Sequence, residues 1–239
     1  MTSQLAATFG LPATASSANW GGTVQRVYDD LRQRIITIQL PPDTTLFRAD
    51  LTQTYGVSQT PIREALQRLR QDGLVRIYPQ SRTVVTRIDV TQIYEAHFLR
   101  VALETEVCRH LASDPDRDPA TLSRAREIID MQRTVIDDPQ QIGVFQELDE
   151  LFHQTLFAGV RRANLHGLVR ERSGHLDRIR RLHPPQKGKI ASILAGHDAI
   201  VEAIDAGHEA AAVNAIREHL SRTVDKVEDM REEFPDYFI

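Results

Sequence analysis

Four side chains in this 239-residue chain have the types and spacing of metal ligands: Asp149, His153, His197 and His219. Asp149 and His153 are four apart, so on a helix they share one face. Phe145, Phe152 and Leu156 define the apolar stripe on which that pair lies. His197 interrupts a second stripe made of Ile190, Ile193, Leu194, Ile200, Val201 and Ile204, and His219 stands beside Ala212, Ala215 and Ile216. Three helices therefore aim one carboxylate and three imidazoles at one interior, which is how helical bundles build metal sites. A lone inward histidine is more often a satisfied core residue, but a buried carboxylate left unpaired costs several kcal/mol, and a divalent cation would offset its charge. Such a donor set suits a divalent transition metal, zinc first, with nickel, manganese, cobalt or iron as alternatives.

A second group of residues is suited to reading DNA. Arg63, Gln67 and Arg70 follow one another at i, i+4 and i+7, opposite the apolar face Ile62, Ala65, Leu66 and Leu69, with Arg68 beside them. Ser58, Gln59 and Thr60 stand at the exposed start of the same helix. A recognition helix puts its N-terminal end into the major groove, where Gln pairs with adenine and Arg with guanine or phosphate. Arg48 joins this set from the preceding helix, and Arg82 from the tip of a hairpin, Pro79-Gln80-Ser81-Arg82. Taken alone, these arginines are equally a solvated helix face. The net charge of −4 is unevenly divided: residues 1–86 hold nine arginines against six acidic groups, and the rest carries a net −7. Only the first part is thereby suited to a polyanion.

The elements that must position these residues follow from periodicity and punctuation. Residues 1–19 are rich in Ala, Ser and Thr without a period and read as a flexible arm. Val24, Val27, Tyr28, Leu31 and Ile35 mark a helix that Pro41-Pro42-Asp43 stops. A short helix with Leu51 and Tyr55 ends at Gly56; the next is capped by Ser58 or Thr60, has Pro61 in its first turn and ends at Asp72-Gly73. Leu74–Tyr78 and Thr83–Arg87 read as strands, and after Asp89 only helices follow, at about 90–113, 119–137, 140–159, 164–182, 188–206 and 208–233. The expected fold is mainly α: a winged helix-turn-helix over 20–87 and an all-α bundle of six to seven helices over 88–239. A single cysteine, Cys108, excludes a disulfide framework and agrees with a reducing cytoplasm, and residues 1–20 contain no apolar run, so neither a signal peptide nor a membrane span is expected.

The stretch from Thr52, TQTYGVSQTPIREALQRLRQDGLVRIYPQSRTVV, resembles the winged helix of the GntR family of bacterial regulators, whose pattern is G-V-S-x-T-P-[IV]-R-E-A-L-x-x-L, then D/E-G-L-V and a wing. The resemblance implies DNA contacts from Ser58, Thr60 and Arg63. Gln59 stands where many members have Arg, which implies a changed base preference, and Arg82 stands where many have Gly. The later helices resemble the FCD ligand domain of the FadR-like branch, through Arg100-Val-Ala-Leu-Glu104, Asp149-x-x-x-His153, Gly196-His197 and His219. That likeness implies a metal site at Asp149, His153, His197 and His219 and a small organic-acid effector.

For the effector, Arg100 is either a salt-bridge partner of Glu104 or a bidentate clamp on a carboxylate, with His97 one turn away as a further pocket residue. His208 reads as a helix cap; His110, His166, His175 and His183 have no partner spacing. The expected protein is a homodimeric repressor on a palindromic operator, since two-fold symmetry would match the two half-sites. Two other readings remain at this point: a regulator that responds to the metal itself, or whose metal is structural, and, with no separate nucleophile or general base in its favour, a metalloenzyme.

Overall fold

The computed structural model of the chain describes residues 22–79, 82–136, 138–182, 187–222 and 224–239. The N-terminal arm, Gln80 and Ser81 of the hairpin tip, and His183 lie outside the described residues. Helix α1 (Gly22–Ile36) buries Val27, Leu31 and Ile35 on one face. A two-residue strand β1 (Thr45–Leu46) follows, then α2 (Arg48–Tyr55) and α3 (Gln59–Gln71), the helix-turn-helix pair. Between them Gly56 takes φ 64°, a left-handed turn that a residue without Cβ adopts at little cost. Ser58 occupies the N-cap position of α3, but its hydroxyl makes no capping bond. Strands β2 (Val75–Ile77) and β3 (Thr83–Val85) form the wing, and the antiparallel sheet runs β1-β3-β2. β1 has no sequence signature; it is recruited by β3, with Thr45 opposite Val84.

The remaining elements are helical: α4 (Val90–Ser113), α5 (Pro119–Val135), a 3-10 turn Pro139–Gln141, α6 (Ile142–Gly159), α7 (Ala163–Arg172), α8 (Gly174–Leu182), α9 (Lys187–Asp205), α10 (Glu209–Ser221) and α11 (Val227–Glu233). Both Asp-Pro signals act as expected: the Asp118 side chain accepts from Ala120 N, and Asp138 accepts from Gln140 N. His208 stands at the N-cap of α10, yet its side chain makes no capping bond. Among the described residues no helix is long and apolar enough to cross a membrane.

By packing, the described residues form two compact units. One comprises residues 97–170 and 187–225, the other 22–96, 171–182 and 226–239. The first has its own core, to which Phe145, Phe152, Ile200, Ile204 and Ile216 contribute; the second is centred on Val27, Leu31, Ile62, Leu66 and Leu69. Two segments expected as single helices are divided. The 164–182 stretch breaks at Ser173, and Gly174, which opens the second helix, lies against Leu74 so closely that a Cβ would come within 2.8 Å of it. The 208–233 stretch contains no breaker, and its helix ends where the chain passes from one unit to the other.

Gly73 also takes a left-handed φ of 75°, and a Cβ there would lie 2.4 Å from Gln92 Oε1 and 3.2 Å from His175 Nε2. At Gly56 the same atom would meet open space. Gly56→Ala is expected to cost about 1–2 kcal/mol from backbone strain alone. Gly73→Ala should cost about 1 kcal/mol more, through the overpacking that displaces Gln92 from Asp89 or His175 from its bonds. Urea midpoints measure both; equal losses would show that these neighbours yield freely.

Candidate metal centre and DNA-reading face

On α3, Ile62, Ala65, Leu66 and Leu69 are buried, which turns Arg63 and Arg70 outward to solvent. Ser58, Gln59 and Thr60 are exposed at its start, and Arg48 is exposed on α2. Arg82 is exposed beyond β2, with its guanidinium 5.5 Å from the Tyr78 ring centre, and its carbonyl accepts from Tyr78 N at 2.8 Å to close the wing. Arg68 differs from its neighbours. Its guanidinium lies 4.1 Å from the centre of the Tyr28 ring, and its Nη1 donates to Gln25 Oε1 at 2.8 Å, so it ties α3 to α1.

In the other unit, α6 carries Asp149 and His153, α9 carries His197 and α10 carries His219; all four are buried. One ligating atom from each lies within 4.8 Å of the others. His153 Nε2 and His219 Nε2 face each other at 3.3 Å, and His197 Nε2 is 3.3 Å from Asp149 Oδ1. Ligands about 2.1 Å from a shared cation are roughly 3.0–3.4 Å apart in tetrahedral or octahedral arrangement, so each pair has the spacing of two neighbouring ligands of one ion. Two of the three outer ring nitrogens face a polar group from behind. Glu104 Oε2 is 2.7 Å from His153 Nδ1, and Gln132 Oε1 is 2.9 Å from His197 Nδ1. Such partners fix ring orientation and leave Nε2 facing inward. His197 Nε2 is buried and, although close to Asp149 Oδ1, makes no hydrogen bond among the described residues. Gly196 makes room for the His219 ring, since a Cβ there would lie 2.8 Å from its Nδ1. Burial holds both His197 and His219 below the usual imidazole range, and the other histidines push His219 further down. Both rings are therefore neutral, the form that binds metal.

Arg100 reaches the same centre through Glu104, its Nε donating to Glu104 Oε1 at 2.7 Å in a buried pair. Burial alone would raise the Glu104 carboxyl, but Arg100 and His153 together hold it well below the usual range. Among the described residues neither Nη nitrogen of Arg100 has a protein acceptor. His97 is half-buried one turn before it, held low by burial and then by the Arg100 charge.

The family model of the FCD domain matches residues 92–222, and that of the bacterial regulatory proteins, gntR family, matches residues 23–85. The chain belongs to the GntR family. It is a DNA-binding transcriptional regulator with an FCD domain. It is 34% identical to an uncharacterized HTH-type transcriptional regulator in an unstable DNA locus of Streptomyces ambofaciens, over 89% of this chain and 88% of the relative. It is 28% identical to the HTH-type transcriptional repressor RspR of Escherichia coli, over 90% and 92%. Among solved structures, E. coli McbR/YncC shares the fold with a TM-score of 0.71 at 17% identity, over 88% of this chain and 99% of that one.

In this GntR regulator the four expected ligands come together, while Glu104 and Gln132 are additions. Gln132 had a readable signal: it is a polar residue on the buried stripe Leu122, Ala125, Ile128, Ile129 and Val135 of α5. Glu104 read as the partner of Arg100 alone, because its second contact, to α6, is set only by packing. His166 is also buried, 2.8 Å from Glu150, which Arg170 contacts as well. The division between Arg63 and Arg68 has a direct test. Arg68→Ala should lower stability by about 1 kcal/mol through the lost ring contact and hydrogen bond, and Arg63→Ala by less than about 0.5 kcal/mol. Equal losses in thermal unfolding would overturn that division.

Proposed function

We propose that this GntR regulator is a homodimeric repressor that releases a palindromic operator when a small organic acid binds at a divalent metal in its FCD domain. The convergence of Asp149, His153, His197 and His219, with Glu104 and Gln132 behind the rings, is the observation that carries it. A bound cation, zinc foremost, would supply a fixed positive charge and coordination positions open to a carboxylate. Arg100 would orient the acid through its two unclaimed Nη nitrogens, a fork matched to a carboxylate, while Glu104 holds the Nε side in place. His97, neutral beside it, would line the same pocket. Repression is supported by the likeness to RspR.

Ser58, Gln59, Thr60 and Arg63 would read base edges from the start of α3, with Arg48 and Arg82 on the phosphates or in the minor groove. Arg68 would support that face from behind, through Tyr28 and Gln25, as much as touch DNA itself. The acid must favour one dimer geometry over another, since a ligand shifts an equilibrium only by its differential affinity.

On a duplex selected by the wild-type protein from a random pool, Arg63→Ala should abolish specific binding while the helical circular dichroism is unchanged. Wild-type affinity would refute the recognition-helix assignment. His153→Ala should lower metal content by elemental analysis, and a full complement would sink the metal site. In the same assay, release of DNA by metal alone would make the metal, not an acid, the signal.

A further inference from the structure

Residues 86–89 join the wing to α4, and their main chain is held almost continuously. Thr86 N donates to Leu74 O at 3.0 Å, Ile88 N donates to Tyr237 O at 2.7 Å, and Ile88 O accepts from Ile239 N at 3.0 Å. Arg178 on α8 supplies the rest of the grip. Its Nη1 donates to Thr86 O at 2.6 Å and its Nη2 to Arg87 O at 3.2 Å. Asp89 N donates to His175 Nδ1 at 2.9 Å, and Arg178 Nη2 approaches the same nitrogen at 2.9 Å. Two donors on Nδ1 require it to be unprotonated, which leaves the proton on Nε2, directed at Gly73 O at 3.3 Å. Burial, then the Arg178 charge, push the His175 imidazole down to about 3, in keeping with that tautomer.

Arg178 is fully buried, and among the described residues no carboxylate pairs with it. Burial lowers its guanidinium to about 9, still a cation at neutral pH. An aliphatic side chain of similar size would fill this space without the desolvation cost of a buried charge. What the guanidinium adds is a planar fork that binds several fixed acceptors at once. The segments involved have separate origins. α8 lies inside the FCD match, the grasped residues lie between the two family matches, and the C-terminal strap 234–239 lies beyond both. The strap is anchored by the buried Phe238, which bridges Ile88 in parallel.

We propose that residues 86–89 are a locked joint, and that α8 with the C-terminal strap is the part of the chain through which a change in the helical unit reaches the DNA-reading motif. Arg178 and His175 are its positioning residues, and none of them needs to touch DNA or effector. This rests on the reading of the chain as a regulator whose helical part controls DNA binding.

Hydrogen exchange on the full-length chain without DNA tests the joint directly. The wild-type amides of Thr86, Ile88 and Asp89 should exchange as slowly as α3. Arg178→Lys, which keeps the charge but loses the fork, and a chain ending at Glu233 should each speed exchange there about tenfold or more, with α3 unchanged. Both should also bind the selected duplex about tenfold or more weakly, because a loosened joint no longer presents two reading heads in fixed register. Exchange at open-loop rates in the wild type would overturn the proposal, as would a loosened joint with wild-type DNA affinity. If the wild-type chain selects no DNA, the regulator reading fails, while the exchange rates still judge the joint.

Discussion

A carboxylate buried in a helical core needs its charge answered from more than one side, and Glu104 sets the terms for the helical unit in this way. Oε1 takes Arg100 Nε and Oε2 faces His153 Nδ1, so one side chain neutralises a buried arginine and abuts an imidazole of the buried Asp149, His153, His197 and His219 cluster. Breaking such a buried pair by removing one member costs roughly 3–5 kcal/mol, because the other charge remains. α4 and α6 are therefore bound together by polar contacts as well as by apolar packing. The arrangement also makes two roles for Arg100 compatible, since its Nε serves Glu104 while its Nη nitrogens stay clear of protein acceptors.

The same logic recurs in the unit that reads DNA. Arg178, like Arg100, is a buried cation, but its acceptors are main-chain carbonyls rather than a carboxylate. Carbonyl dipoles answer a charge less fully than a carboxylate does, so burial pulls Arg178 down while Glu104 holds Arg100 up. In return the acceptors are backbone, and fixing them fixes the course of the chain. Arg68 works more locally: spread over Tyr28, it ties α3 to α1, while Arg63 and Arg70 stand exposed.

The cluster of Asp149, His153, His197 and His219 was legible because histidine and aspartate on apolar stripes violate the pattern around them, and a violated stripe is visible without a structure. Gln132 broke its stripe in the same way. Glu104 did not stand out, since an i, i+4 partner accounted for it locally. His175 and Arg178 carried no signal, because their main-chain partners lie 86 to 102 residues upstream and a backbone group has no sequence identity. β1 escaped for a similar reason: two residues cannot show a period, and the strand exists only because β3 offers it an edge.

The amino-acid sequence by itself determined the local elements and their faces: the helix-turn-helix with its glycine turn, the Asp-Pro caps, and the inward histidines. These depend on interactions within a few residues or on periodic burial, which the order of residues encodes directly. Tertiary structure decided what meets what. It set the second contact of Glu104, gave Arg68 its contacts with Tyr28 and Gln25, and brought α8 and the C-terminal strap onto residues 86–89. Those outcomes depend on distances between segments far apart in the chain, which only the packed cores establish.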